Sequence, residues 1–128
     1  SGEAILDKYH ISFVYDVKKY LQTLDFICTL QGKLFVPAHA QATENIVPLA
    51  EYNKQKIQEI VELLLSFCQN PFSAEEILKK IFDHYHLTMD EQQYVLVGST
   101  IRSYLSYLIE EEKLTTKIID NRFLFQTV

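Results

Sequence analysis

Four histidines, His10, His39, His84 and His86, carry most of the metal-ligating potential in this chain. His39 follows a short apolar run, Lys33 to Val36, that reads as a strand closed by Pro37. A histidine held directly after a strand end is fixed in direction and can aim one ring nitrogen at a metal. A single histidine builds no site, because zinc takes three or four protein ligands. Read alone, His39 is a loop histidine. His84 and His86 form an H-x-H pair at the end of a helical pattern. Residues two apart on a helix point to different faces, and no acid or cysteine stands at a matching spacing. That pair reads as charge complementing a helix C-terminus. His10 has no partner in sequence.

The carboxylates give no acid/base pair of the kind that needs a shared cleft and unequal surroundings. Glu75, Glu76 and Asp83 lie on one helical segment, and Glu110-Glu111-Glu112 reads as a solvated helix end. Ser66, Ser73, Ser99, Ser103 and Ser106 lie in no G-x-S-x-G turn, so no nucleophile elbow is present. Gly2, Gly32 and Gly98 are too scattered for a phosphate-cradling loop. No catalytic residue is assigned. Cys28 and Cys68 lack C-x-x-C spacing and read as buried free thiols of a reducing compartment, which points to a cytoplasmic protein.

These residues must be carried by a chain of 128 residues with 48% hydrophobic and 23% charged residues. That balance suits a globular fold and argues against disorder. No apolar run reaches the length of a membrane span, and the opening SGEAILDKYH lacks the apolar region of a secretory signal. The formal net charge is −5, which disfavours nucleic acid as a partner unless the bases cluster.

Asp16 to Leu30 has the spacing of an amphipathic helix, with Val17, Tyr20, Leu21, Leu24, Ile27 and Cys28 on one face and Asp16 as N-cap. Ala38 to Glu44 reads as a polar loop. A long helix follows over 45–69, with Pro48 in its first turn and Asn70-Pro71 as its stop. Its inner stripe runs through Leu49, Tyr52, Lys56, Ile57, Ile60, Val61, Leu64, Phe67 and Cys68. Ser73 and Glu76 form a capping box, with Phe72 and Ile77 at the staple positions, and open a helix to about Tyr85. A second box, Thr88 to Glu91, predicts a helix to about Glu112 that buries Tyr94, Val97, Ile101, Tyr104, Leu105 and Leu108. The runs TKII and RFLF flank Asp120-Asn121, a pair suited to a tight hairpin turn.

From Asn45 the order is helix, helix, helix, hairpin. That is the order of a winged-helix module, three helices around one core closed by a two-stranded wing. The helix that would enter a DNA groove, Met89 to Lys113, carries Asp90, Glu91, Glu110, Glu111 and Glu112 against Arg102 and Lys113, a net −3. Phosphate repels such a helix. The wing adds only Lys117 and Arg122 against Asp120. The tyrosines read as core and core-rim residues.

The segment YDVKKYLQTLDFICTLQGKLFVPAHA, Tyr15 to Ala40, resembles the last part of the metallo-β-lactamase fold, where a helix leads into a short strand and a Pro-Gly-His-Gly type turn. Here the turn is Pro37-Ala38-His39-Ala40, with alanine at both glycine positions. The downstream segments LAEYNKQKIQEIVELL, SAEEILKKIF and RSYLSYLIEEEKL look like the C-terminal extension of the branch with lactonase-like and hydroxyacylglutathione-hydrolase-like enzymes. The family's H-x-H-x-D-H motif is absent, as are the histidine and bridging aspartate that follow it, so the resemblance implies a fragment beginning after that aspartate.

The fold class expected is therefore mainly α (α+β). A winged-helix-like domain of three helices plus a β-hairpin would occupy residues 43–128. Residues 1–42 would be a helix-strand remnant of the metallo-β-lactamase-like catalytic domain. The resemblance implies a metal-dependent hydrolase of an ester, thioester or lactone-type small molecule, inactive in this fragment. It implies two zinc or iron ions in the parent and none in the fragment, with His39 a metal ligand in the full-length parent only. The extension would shape the substrate entrance or mediate self-association. The expected partners are the missing catalytic domain, the parent's small-molecule substrate and a possible homo-oligomer, with no nucleic acid and no membrane. The apolar residues of 1–42 are expected to pack on a second copy or stay mobile, because the sheet they would cover is missing. The alternative is an acidic winged-helix binding module for protein contacts or, less favoured, nucleic acid.

Overall fold

The computed structural model describes residues 16–29 and 40–128. Among them lie four helices, α1 Val17–Thr29, α2 Ala40–Phe67, α3 Ala74–His84 and α4 Glu91–Glu110, followed by strands β1 Leu114–Ile119 and β2 Arg122–Thr127. The described residues are mainly helical with one small antiparallel hairpin, an α+β arrangement. The expected strand over Lys33 to Val36, with His39 and His10, lies outside the described residues.

Helix α1 starts where its cap predicts. The Asp16 carboxylate accepts the Lys19 backbone N–H at 3.1 Å, which satisfies one of the orphan donors of a first turn. Val17 and Leu24 are buried in the same core as residues of α2 and α4. These two apolar residues of α1 thus find cover within their own chain, not on a second copy.

Helix α2 departs from the sequence reading at its start. It begins at Ala40, so Ala40 to Glu44, expected as loop, is helical. Two alanines and a glutamate among these residues favour helix intrinsically, and their small polar character does not oppose it. Pro48 consequently lies inside the helix and not in its first turn, where its missing N–H leaves the carbonyl four residues earlier without the usual donor. The far end of α2 follows the pattern, with Ile57, Ile60, Val61 and Leu64 buried.

The α3 capping box is present in both directions. The Glu76 N–H donates to Ser73 Oγ at 3.2 Å, and the Ser73 N–H donates to Glu76 Oε1 at 3.0 Å. The second box is not used. Asp90, two residues after Thr88, caps α4, its carboxylate accepting the Gln93 N–H at 2.7 Å. Aspartate outranks threonine as an N-cap, because a carboxylate also complements the positive end of the helix.

Both α3 and α4 close in the same way without glycine. Leu87 N–H reaches Phe82 C=O at 2.9 Å and His86 N–H reaches Asp83 C=O at 3.3 Å. At the end of α4, Lys113 N–H reaches Leu108 C=O at 2.8 Å and Glu112 N–H reaches Ile109 C=O at 3.0 Å. These are Schellman closures, and the residues at the left-handed position are His86 (φ 55°) and Glu112 (φ 60°).

The hairpin pairs Leu114 with Thr127 through to Ile119 with Arg122. Asp120 and Asn121 turn with φ 52° and 62°, the type I′ conformation that Asp and Asn tolerate. The hairpin is tied to the helices through its second strand. Phe72, in the connector between α2 and α3, forms an antiparallel bridge with Phe125. The three C-terminal helices and this strand close around Tyr104, Leu105, Leu108, Ile77, Ile81 and Leu64, all essentially inaccessible.

Candidate functional site

His84, His86 and the acids of α3 take structural roles. His84 meets Tyr85 edge to face at 4.8 Å between ring centroids and Phe67 at 6.3 Å. His86 occupies the left-handed closing position of α3. The two rings serve the end of a helix, and among the described residues no group of three His, Cys, Asp or Glu could hold a metal. The ligand position implied by resemblance, His39, lies outside the described residues, so no chemical step is built on a metal.

The acids of α3 are likewise engaged. Glu75 accepts the Tyr94 hydroxyl at 2.5 Å and Arg102 Nη2 at 3.3 Å, which links α3 to the outer side of α4. Glu76, besides its box, stands 3.6 Å from Arg122 Nη1. The Ser73 backbone and side-chain hydrogen bonds hold its carboxyl below the ordinary glutamate range. Asp83 pairs with Lys79 at 2.6 Å. Glu110 pairs with Lys18 at 3.2 Å and, mainly through that hydrogen bond, raises the Lys18 ammonium above its ordinary value.

These pairs decide the electrostatics of the face that a winged helix would present to DNA. Arg102 and Arg122 are each matched to a glutamate of α3. The start of α1 lies against the same side of α4. There Asp16 and Lys18 join Ser99, Ser103, Ser106 and Glu110 around a polar groove of about 350 Å³. Arginines already paired with carboxylates release few counterions, and a helix flanked by Glu110 to Glu112 offers phosphate little.

The tyrosines behave as core and rim. Tyr104 is fully buried, and burial pushes its phenol up. Among the described residues its hydroxyl has no hydrogen-bond partner, and neither has the Oδ1 of Asn53, which is 5% exposed on α2. Asn53 and Thr100 are buried polar residues that the apolar stripes pass over. Asn53 stands four residues before Ile57 on the same face, so its spacing marks it as internal although its type does not. Thr100 returns its hydroxyl to Leu96 C=O at 3.0 Å within the helix. Cys68 is a free thiol, buried and pushed up to about 11 by desolvation, which leaves it unreactive.

One surface has unusual composition. Ile118 is 73% exposed and Phe123, its direct partner across the hairpin, 54%. Ile119 adds a further exposed apolar group at the tip. No described helix is long and apolar enough to cross a membrane. Comparison of the chain with protein-family models, with curated proteins and with solved structures returns no match.

Proposed function

We propose that this chain is the C-terminal part of a metallo-β-lactamase-like, metal-dependent hydrolase, and that its residues 43–128 form a winged-helix-like module acting through protein contacts. The observation that carries the module is the Phe72–Phe125 bridge. It anchors the hairpin as a wing on a three-helix core and leaves an apolar wing face outward. The reversed charge of α4 and the pairing of Arg102 and Arg122 favour protein over nucleic acid as the partner. Fold alone would not decide this.

The hydrolase part of the reading rests on resemblance. Its support here is that α1 occupies Val17–Thr29, within the segment where the resemblance requires a helix ahead of the Pro37-Ala38-His39-Ala40 turn. On this reading the chain alone hydrolyses nothing, works in the cytoplasm, and gains two zinc or iron ions, an ester, thioester or lactone substrate and a role for His39 only beside the catalytic domain. The two readings separate on the reading frame upstream. An H-x-H-x-D-H motif there supports the hydrolase, and its absence leaves the binding module alone. Titration of duplex DNA by fluorescence anisotropy tests the partner class. Affinity weaker than about 10⁻⁴ M at physiological salt is expected, and specific affinity below about 10⁻⁶ M with a steep salt slope contradicts it.

A further inference from the structure

The two edges of the hairpin are treated differently by the fold. Phe125 exchanges backbone hydrogen bonds with Phe72, N–H to C=O, at 3.1 and 2.8 Å, and Thr127 N–H reaches Cys68 C=O at 2.9 Å. The outer edge of β2 is therefore closed from Phe125 to Thr127. In an antiparallel ladder, successive residues turn their N–H and C=O to opposite sides. Since Phe125 and Thr127 face the connector, Leu124 and Gln126 face β1 and pair there with Lys117 and Thr115. Leu114, Thr116 and Ile118 then direct their backbone groups outward, where no strand of the described residues meets them.

We propose that this open edge pairs with the same edge of a second copy, β1 against β1, antiparallel about a twofold axis at Thr116. This pairing deepens the protein-contact part of the reading above, on which it rests, and names its site. Three features favour a second copy over a foreign strand. The outward residues are self-complementary in this register. Leu114 meets Ile118 of the second copy, Thr116 meets Thr116, and Ile118 meets Leu114, so each outward N–H and C=O finds a mate. The single charge in the strand, Lys117, falls opposite Thr115 of the second copy and not opposite its own counterpart, avoiding a like-charge pair. The antiparallel arrangement also brings Lys117 of each hairpin toward the Glu110 to Glu112 end of the other copy, where charge is opposite. Ile118, otherwise 73% exposed, comes to lie beside Leu114 of the second copy at the rim of its core. Such a pairing uses a strand edge that proteins otherwise blunt or cover.

Sedimentation of the whole chain from about 10 μM to about 1 mM, a range suited to a small interface, tests this. The mass is expected to rise from monomer toward dimer. Thr116→Pro removes one outward N–H per copy and spares the β1–β2 ladder, so it should weaken the dimer at least about tenfold. Ile118→Lys, on an exposed side chain, should do the same with the fold intact. Amide exchange supplies the local readout: Thr116 and Ile118 should gain protection with concentration, while Phe72 and Phe125 stay constant. A monomer throughout the range overturns the proposal. So does a dimer that both variants leave unchanged, with freely exchanging Thr116 and Ile118 amides. Capture of an unrelated strand on β1 by a chain that stays monomeric overturns it too. None of these outcomes bears on the hydrolase reading, which stands or falls on the upstream frame.

Discussion

Phe72 and Phe125 meet backbone to backbone, each donating its N–H to the other's carbonyl at 3.1 and 2.8 Å. This exchange joins the connector before α3 to the second strand of the hairpin and makes the hairpin part of the core. A free two-stranded hairpin would be marginal in water. The side chains follow the same division, with Phe125 9% exposed and Phe123, 5.3 Å away in an edge-to-face pair, 54% exposed.

Phe125→Ala should therefore lower stability by about 3–5 kcal/mol, whereas Phe123→Ala should cost about 1 kcal/mol. Urea unfolding of both variants measures the difference. Equal losses would mean that the hairpin is not anchored through Phe125.

The start of α4 gives a second test. Asp90→Ala should cost about 1 kcal/mol, because the Gln93 N–H loses its acceptor. Thr88→Ala should change stability by less than about 0.5 kcal/mol, since Thr88 is exposed and caps nothing. The opposite ranking in thermal melts would restore Thr88 as the cap.

A pH dependence follows from Glu76. Its carboxyl is lowered in the folded chain by the Ser73 hydrogen bonds, so the unfolded chain binds the proton more readily. The stabilisation is complete above the ordinary glutamate value of 4.5 and is lost as the pH falls through the lower folded-state value. Glu76→Gln keeps the box geometry without the charge, so it should lack this contribution at pH 7, lie close to the parent chain at pH 3, and show no such loss on acidification. Ser73→Ala should cost about 1 kcal/mol at neutral pH and flatten the same acid limb. Denaturant titrations at pH 7 and pH 3 compare the three chains. An unchanged pH profile in Glu76→Gln would contradict the assignment.

The buried hydroxyl of Tyr104 has no partner among the described residues. Tyr104→Phe removes an unsatisfied polar atom and keeps the ring, so stability should rise by about 1 kcal/mol. A loss of similar size in urea unfolding would show that the hydroxyl is hydrogen-bonded.

The local signals of the sequence carry furthest where one residue pair fixes the geometry. The Ser73 and Glu76 box and the Asp120-Asn121 turn are both realised, because each depends only on contacts within a few residues. The start of α2 and the cap of α4 are not legible in the same way. Ala40 to Glu44 contains no stop signal strong enough to separate loop from helix, and Thr88 and Asp90 compete for one cap that only the folded chain chooses between. Asn53 is hidden by its residue type, although its place in the 53, 57, 60, 64 series marks the inner face. The open edge of β1 cannot be read from the sequence at all. It depends on which strand Phe72 joins, a contact between residues more than fifty positions apart.

The hydrolase reading proposed above is tested most directly on a longer protein, if the frame upstream encodes one with the H-x-H-x-D-H motif. Metal content and hydrolysis of thioester and lactone substrates would be measured for that protein and for its His39→Ala variant. Two bound zinc or iron ions per chain are expected, and a fall in metal content and activity together on substitution, as follows when a ligand of a two-metal centre is removed. Full metal content and unchanged activity in His39→Ala would contradict the assignment.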